Sequence, residues 1–376
     1  MSEFSVDIRR VVRVWDHPNA QKLSLAAVEG LGFQFVTGKD AYKVGDYVVY
    51  FPVDSVMPLD VQKAFGLEGK LTGKQKDRLK TVKLRGEISQ GFVAPVDEVL
   101  KLCSFEGCAT DIPMYIIDDI SEDDAESLLA YDLSTALGVS KYEQPPIACH
   151  AGNLVQLPDG VSMYDIEGVE RYPEVVNALL PRHVVITEKV EGQNYGVTSR
   201  EGETIVNQRK HAITPIEGKV HSLHAITTEL GIDKLADKVR EQLGATQVTL
   251  RGEYLGPGIQ KNIYKFPKNT VRMFDILADG KYVEWTVVLG LFVAIPELAD
   301  LWVPVIEQDM TLDEYLTSVG LDVDSISTVG YGKSKLNPQT LREGVVIKPV
   351  AEFEVDGFGR AIIKQRDPEY LAEYGF

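Results

Sequence analysis

The chain has 376 residues, 44% of them hydrophobic and 25% charged, a globular composition that excludes a disordered, collagen-like or low-complexity protein. No apolar run approaches the ~18 residues of a membrane span, and the opening MSEFSVDIRR lacks the apolar core of a signal peptide, so a soluble cytoplasmic protein without membrane contact is expected. With 39 basic against 56 acidic residues the net charge is −17, which argues against a general nucleic-acid coat and makes any local cluster of bases conspicuous.

The first hundred residues read as short strands. VVRVW (11–15), LSLAAV (23–28), FQFVTG (33–38), DYVVYFPV (46–53) and TVKLRGEISQGFVAPV (81–96) are rich in β-branched and aromatic residues and are parted by turn signals. Five such strands without long helices predict a small OB-type barrel over residues 1–104, an architecture that often carries single-stranded nucleic acid or tRNA. Within it, the segment from Lys70 to Arg85 gathers seven bases (Lys70, Lys74, Lys76, Arg78, Lys80, Lys83 and Arg85) against one acid, Asp77. A solvated face is the usual fate of such a run, but in so acidic a chain the cluster favours a phosphate-binding surface for RNA.

From 105 to 150 the pattern weakens, and a connector is expected. It holds an acidic run over 118–126, a short helix over about 125–137, and Pro145-Pro146, which favours extended chain. Cys103, Cys108 and Cys149 are too few for a disulfide framework or a four-ligand zinc site, and Cys149 with His150 reads as loop. A second unit, 151–376, has strands HVVITEKV (183–190), NYGVTSREGETIVNQ (194–208), QVTLRGEYLG (247–256), VRMFDILADGKYVEW (271–285), GVVIKPV (344–350) and GRAIIKQ (359–365). Leu223, Ile226, Leu230, Leu235, Val239 and Leu243 predict a helical stretch between the second and third. Helices covering an antiparallel-rich sheet make this an α+β domain.

Lys189-Val190-Glu191-Gly192 ends an apolar strand. A strand-end lysine, a carboxylate two residues on and a glycine that permits close backbone approach suit a nucleophile, although for the tetrapeptide alone a solvated lysine beside a hairpin is the better explanation. Further features follow in order: Arg209, Glu253 in RGEYLGPGIQKN, Phe274 with Asp275 in MFDIL, Glu343, Gly344 and Lys348 in REGVVIKP, and Lys364 in AIIKQR. This ordered set resembles the nucleotidyltransferase motifs of polynucleotide ligases and capping enzymes. TEKVEGQNYG, GEYLGPGIQKN and REGVVIKP resemble RNA ligases in particular. HPNAQKL (17–23), KVGDYVVYFPVDSVMP (43–58) and LRGEISQGF (85–92) resemble the amino-terminal OB-type domain of the nick-sealing RNA ligase family.

The resemblance implies an ATP-dependent RNA ligase. Lys189 would accept AMP, AMP would pass to a 5′-phosphate, and a 3′-hydroxyl would displace it at a nick in an RNA-containing duplex. Lys348 and Lys364 would neutralise the transferring phosphate, Phe274 would stack on adenine, Glu188, Glu191, Gly192 and Asn194 would lie near the nucleotide, and Arg209 near ribose or phosphate. Glu191, Glu253 and Glu343 would hold Mg²⁺ or Mn²⁺ directly or through water, since these cations take oxygen ligands. No obligate protein partner is evident. Twelve residues follow Lys364, too few for the OB domain that DNA ligases and capping enzymes carry after the catalytic domain; those activities, and an inactive RNA-binding ligase fold, are the alternatives. The last motif usually has two lysines one residue apart, whereas Ile362 and Arg366 flank Lys364 here. Gly332-Lys333-Ser334 lacks the earlier P-loop glycine, its place being Ser327, and Gly256-Pro257-Gly258 is a turn rather than a dinucleotide fingerprint.

Overall fold

The computed structural model describes residues 4–103, 129, 131–142 and 152–374. The acidic run, Cys108, Pro145, Pro146, Cys149 and His150 lie outside the described residues. Two compact units are present, residues 1–145 with 368–376, and residues 146–367. The last nine residues, expected to close the second unit, thus belong to the first: the helix Pro368–Tyr374 buries Tyr370 and Leu371, and its Glu369 pairs with Lys83 at 3.2 Å.

The first unit is built on a five-stranded antiparallel sheet in the order Phe35–Gly38, Leu23–Val28, Asp7–Asp16, Tyr47–Phe51, Phe92–Pro95. The ten-residue strand Asp7–Asp16 serves two neighbours, its first part pairing with Tyr47–Phe51 and its last with Leu23–Val28, and a register shift between Val11 and Arg13 marks the change. The sheet curls until Gln90 N–H reaches Gln34 O at 2.9 Å and Val36 N–H reaches the Ser89 hydroxyl at 3.0 Å. The barrel of the OB fold is thereby nearly closed. Strand alternation feeds two cores: Val48 and Tyr50 join Val11, Ala26 and Phe35, while Val49 and Phe51 join Met57, Val61 and Val99. Of the helix expected over 125–137, residues 131–137 are loop and turn. The Asp132 carboxylate accepts from Val6 N–H and Ser134 N–H at 3.0 and 2.9 Å, diverting the chain into an Asx turn that plants Leu133 and Leu137 in the second of these cores.

The second unit contains two sheets. The larger is antiparallel, in the order Gly152–Val155, Ala212–Pro215, Glu203–Asn207, Gln193–Arg200, Gln247–Leu255, Thr270–Ala278, Lys281–Tyr282. The smaller runs Glu167–Gly168, Ile363–Arg366, Gly344–Pro349, Val184–Lys189, Val305–Glu307, with the first pair parallel. The single helical stretch expected over 223–243 is two helices, Ser222–Glu229 and Ile232–Leu243, because Gly231 adopts φ +65° and stops the first. In the smaller sheet, Val184, Ile186, Val345, Ile347 and Ile363 point into a core with the helices Pro173–Leu179 and Leu312–Ser318. Period-two alternation therefore sends Thr187, Lys189, Val346, Lys348, Ile362 and Lys364 to the opposite face.

Candidate active site

That opposite face meets the larger sheet at a pocket lined by Tyr164, Asp165, Ile166, Thr187, Glu188, Lys189, Val190, Asn194, Arg209, Glu253, Phe274, Asp275, Val303, Val346, Lys348, Ile362 and Lys364. Of the residues singled out in the sequence, Lys189, Glu253, Lys348, Lys364, Glu188, Asn194, Arg209 and Phe274 line it.

Lys189 Nζ donates to Glu343 Oε1 at 2.5 Å, with the lysine side chain 25% exposed and the glutamate 13%. Asn194 and Glu253 sit opposite one another on paired strands. Burial pushes Glu253 up to about 8; the neighbouring Glu343 adds to the rise, and Lys189 and Arg209 only partly offset it. Lys364 is pushed down to about 8 by burial and by repulsion from Arg366 and Lys189. Lys348, 4% exposed, donates to Asp275 Oδ1 at 2.6 Å and to Phe274 O at 3.1 Å. Burial alone would raise Asp275, but Arg360 and Lys348 hold it well below the usual carboxylate range. Arg209 pairs with Asp165.

Three expected roles are changed. Glu191 is buried and turned away: its Oε1 accepts from Lys261 N–H at 2.8 Å while its own N–H donates to the Tyr264 hydroxyl at 2.6 Å, so it anchors the loop that follows Gly256-Pro257-Gly258. Among the described residues, no group of three His, Cys, Asp or Glu side chains is placed to hold a metal ion. Of the expected trio of Glu191, Glu253 and Glu343, the latter two lie beside Lys189. Oxygen donors suit Mg²⁺ or Mn²⁺, and a carboxyl driven toward its neutral form beside a second acid is a site short of positive charge, so Glu253 and Glu343 fit a divalent cation. At Gly192 close packing requires the lack of a side chain, since a Cβ there would lie 2.6 Å from Tyr254 O and from Glu253 Cγ. Glu188 contributes to the pocket wall, but its carboxylate is occupied by Ser334 Oγ at 2.5 Å and Lys335 N–H at 2.7 Å, and burial raises its pKa. The P-loop look-alike is thus a clasp on the strand that ends in Lys189.

Sequence reasoning did not single out Tyr164, Asp165 or Ile166, which precede the first motif and carry no periodic signal. Ile362 takes the pocket-facing position two residues before Lys364, and Arg366, two residues after it, lies opposite Gly344.

In the first unit, Lys70, Lys74, Lys76, Lys83 and Arg85 are exposed, and Lys80 is half-buried. Arg78, expected to contact RNA, is instead structural: it pairs with Asp54 at 2.7 Å and lies 3.6 Å from the Tyr142 ring centre. Arg85 and Gly86, both at positive φ, turn the hairpin of Val82–Leu84 and Glu87–Ser89. His17 Nε2 lies 3.0 Å from Leu84 O, and Asn19 Nδ2 donates to Arg85 O at 3.1 Å, which joins the HPNAQKL and LRGEISQGF segments into one feature.

A strand-end lysine against an acid, in a pocket that also offers an aromatic ring and two further lysines, defines a nucleotidyltransferase site. The comparisons with known proteins sharpen this: residues 182–366 match the RNA ligase family and residues 5–96 an OB-fold domain. The chain thus carries an RNA ligase domain behind an amino-terminal OB fold. Solved structures of Naegleria gruberi RNA ligase share the fold. A variant with AMP and Mn is 21% identical with a TM-score of 0.73, covering 98% of both chains. A variant with ATP and Mn is 21% identical with a TM-score of 0.71, also covering 98% of each, and an apo variant is 21% identical with a TM-score of 0.71, covering 98% of this chain and 97% of the other. No curated protein sequence matches the chain.

Proposed function

We propose that the protein is an ATP-dependent RNA ligase that joins an RNA 3′-hydroxyl to a 5′-phosphate at a nick. The observation that carries this reading is the Lys189–Glu343 pair at 2.5 Å, set among Phe274, Lys348 and Lys364 in one pocket. The Naegleria structures with ATP or AMP and Mn support the choice of nucleotide and metal.

In the first step the Lys189 amine, having given up its proton, attacks the α-phosphorus of ATP. A P–N bond forms, the bond to the bridging oxygen breaks, and pyrophosphate leaves. A free lysine with pKa ~10.4 is an ammonium at pH 7, and Glu343 by itself favours that charged form. A divalent cation held by Glu253 and Glu343 would offset their charge, favour the neutral amine and draw charge from the phosphate. Lys348 and Lys364 face the transferring group and neutralise its developing charge. Phe274 offers the base a stacking surface. A 5′-phosphate oxygen of the nick then displaces Lys189 from phosphorus, and the 3′-hydroxyl finally displaces AMP, forming the phosphodiester. The exposed cations Lys70, Lys74, Lys76, Lys83 and Arg85, with half-buried Lys80, are the proposed contacts for the duplex backbone beside the nick.

The test is incubation with α-labelled ATP and Mg²⁺ or Mn²⁺ followed by a denaturing gel. Label on the wild-type chain and none on Lys189→Ala is expected; label retained by Lys189→Ala would overturn the nucleophile. Sealing of nicks with RNA or DNA on either side then defines the substrate.

A further inference from the structure

The strand Thr270–Ala278 presents two consecutive residues, Phe274 and Asp275, to the same pocket. An unbroken strand cannot do this, because neighbouring side chains point to opposite faces. The partner strand explains how it happens. Arg251 lies opposite Asp275 while Gly252, the next residue, lies opposite Met273, so Phe274 is the extra residue of a β-bulge. Bulges of this kind re-aim a side chain beside an active site.

Asp275 is the hub of what the bulge creates. Buried to 1% exposure, it uses both oxygens: Oδ1 accepts from Lys348 Nζ at 2.6 Å and Arg360 Nη2 at 3.1 Å, and Oδ2 from the Tyr164 hydroxyl at 2.6 Å and Arg360 Nη1 at 2.7 Å. Arg360 is itself fixed by two bonds to Glu352, at 2.7 and 2.6 Å. The Tyr164 ring packs against Phe274 with centroids 4.9 Å apart and planes tilted by 36°. Rings in such direct contact admit nothing between them, so Tyr164 backs one face of Phe274. Lys348 is tied to the same unit twice, through Asp275 and through the Phe274 carbonyl.

We infer that Asp275 is a positioning residue that registers the aromatic platform of Phe274 against the phosphate-facing amine of Lys348, with Tyr164 as the brace between the carboxylate and the ring. The inference rests on the adenylylation reading of the pocket. One buried carboxylate then sets the spacing between the point that holds a purine ring and the point that meets the α-phosphate.

Two variants test it. Tyr164→Phe keeps the ring and deletes only its bond to Asp275; Asp275→Asn keeps the shape and deletes the charge that aims Lys348. Adenylylation is measured over a range of ATP concentrations, and equilibrium ATP binding is measured separately in the Lys189→Ala background, where no covalent step occurs. Tyr164→Phe is expected to act mainly on KM, and to weaken ATP binding in the Lys189→Ala background by about tenfold, the scale of a missing bond to a charged group. Asp275→Asn is expected to raise KM and also lower kcat, since it releases both the ring and the lysine. If Tyr164→Phe leaves both KM and ATP binding within twofold of the parent, the inference is wrong even where wild-type labelling succeeds. Should Asp275→Asn fail to fold, Tyr164→Phe alone decides. If the wild-type chain is never labelled, the adenylylation reading falls, and the binding measurements still decide whether Asp275 and Tyr164 organise the nucleotide site.

Discussion

Gly344 follows Glu343 and opens the strand that carries Lys348. Its φ is +154°, and a Cβ built there would stand 2.0 Å from Gln365 O and 2.7 Å from Arg366 Cα, where ordinary contact begins at 3.4 Å. Because both obstacles are backbone, no side-chain rotation can relieve them. Gly344→Ala must therefore part the strands Gly344–Pro349 and Ile363–Arg366 by more than an ångström at this pair, drawing Lys364 away from Lys189. Overpacking costs about 1–3 kcal/mol and the unfavourable φ about 1–3 kcal/mol more. Against a total stability of about 5–15 kcal/mol, each kcal/mol lowers the melting temperature of a unit this size by about 2–4 °C. Thermal melts by circular dichroism read the stability, and labelling with ATP reads the site; both should fall. Gly290→Ala, where nothing lies within 4 Å of the built Cβ, is the control and should be neutral or stabilising by up to about 1 kcal/mol. A Gly344→Ala protein that melts within a degree of the parent and labels normally would refute the steric reasoning.

Three further outcomes are expected. Glu253 titrates at about 8 in the folded chain against 4.5 when unperturbed, so the folded state holds the extra proton between those values and stability falls as pH rises through them; Glu253→Gln should match the parent in melts near pH 4.5 and exceed it at pH 8.5. Lys364 titrates at about 8 against 10.5, so its penalty is complete below pH 8 and relieved by 10.5; Lys364→Met should stabilise at neutral pH, and a gain that persisted above pH 10.5 would contradict the assignment. Replacing Lys70, Lys74 and Lys76 together by alanine should weaken nick binding and reduce its logarithmic salt slope by roughly 0.9 for each phosphate no longer neutralised, with labelling by ATP intact; an unchanged slope would remove these lysines from the RNA surface.

The parts of the site legible in the sequence are those set by strand periodicity and short motifs. Lys189 at a strand end, Lys348 within REGVVIKP and Lys364 within AIIKQR could be read because alternation fixes which side chains share a face. Glu191 shares the motif of Lys189, yet its direction depends on Lys261 N–H, seventy positions away, which no local pattern reveals. The bulge at Phe274 is a mismatch between two strands and has no signature in either alone. Tyr164 and Asp165 lie in a stretch without regular structure, so neither period nor composition marks them. Arg78 looked like its neighbours in a basic run, and only the placement of Asp54 and Tyr142 separates it from them.

The position of Ile363–Arg366 in the smaller sheet has a consequence for how the enzyme is made. This late strand is sandwiched between Gly344–Pro349 and the early Glu167–Gly168. A nascent chain that has emerged only through Lys348 already holds Lys189, Glu253 and Glu343 but has no seat for the residues around Gly168 and no Lys364. If the proposed reaction holds, adenylylation competence is acquired only once this strand has left the ribosome, and a ribosome stalled shortly before that point would display an inert intermediate rather than one that consumes nucleotide.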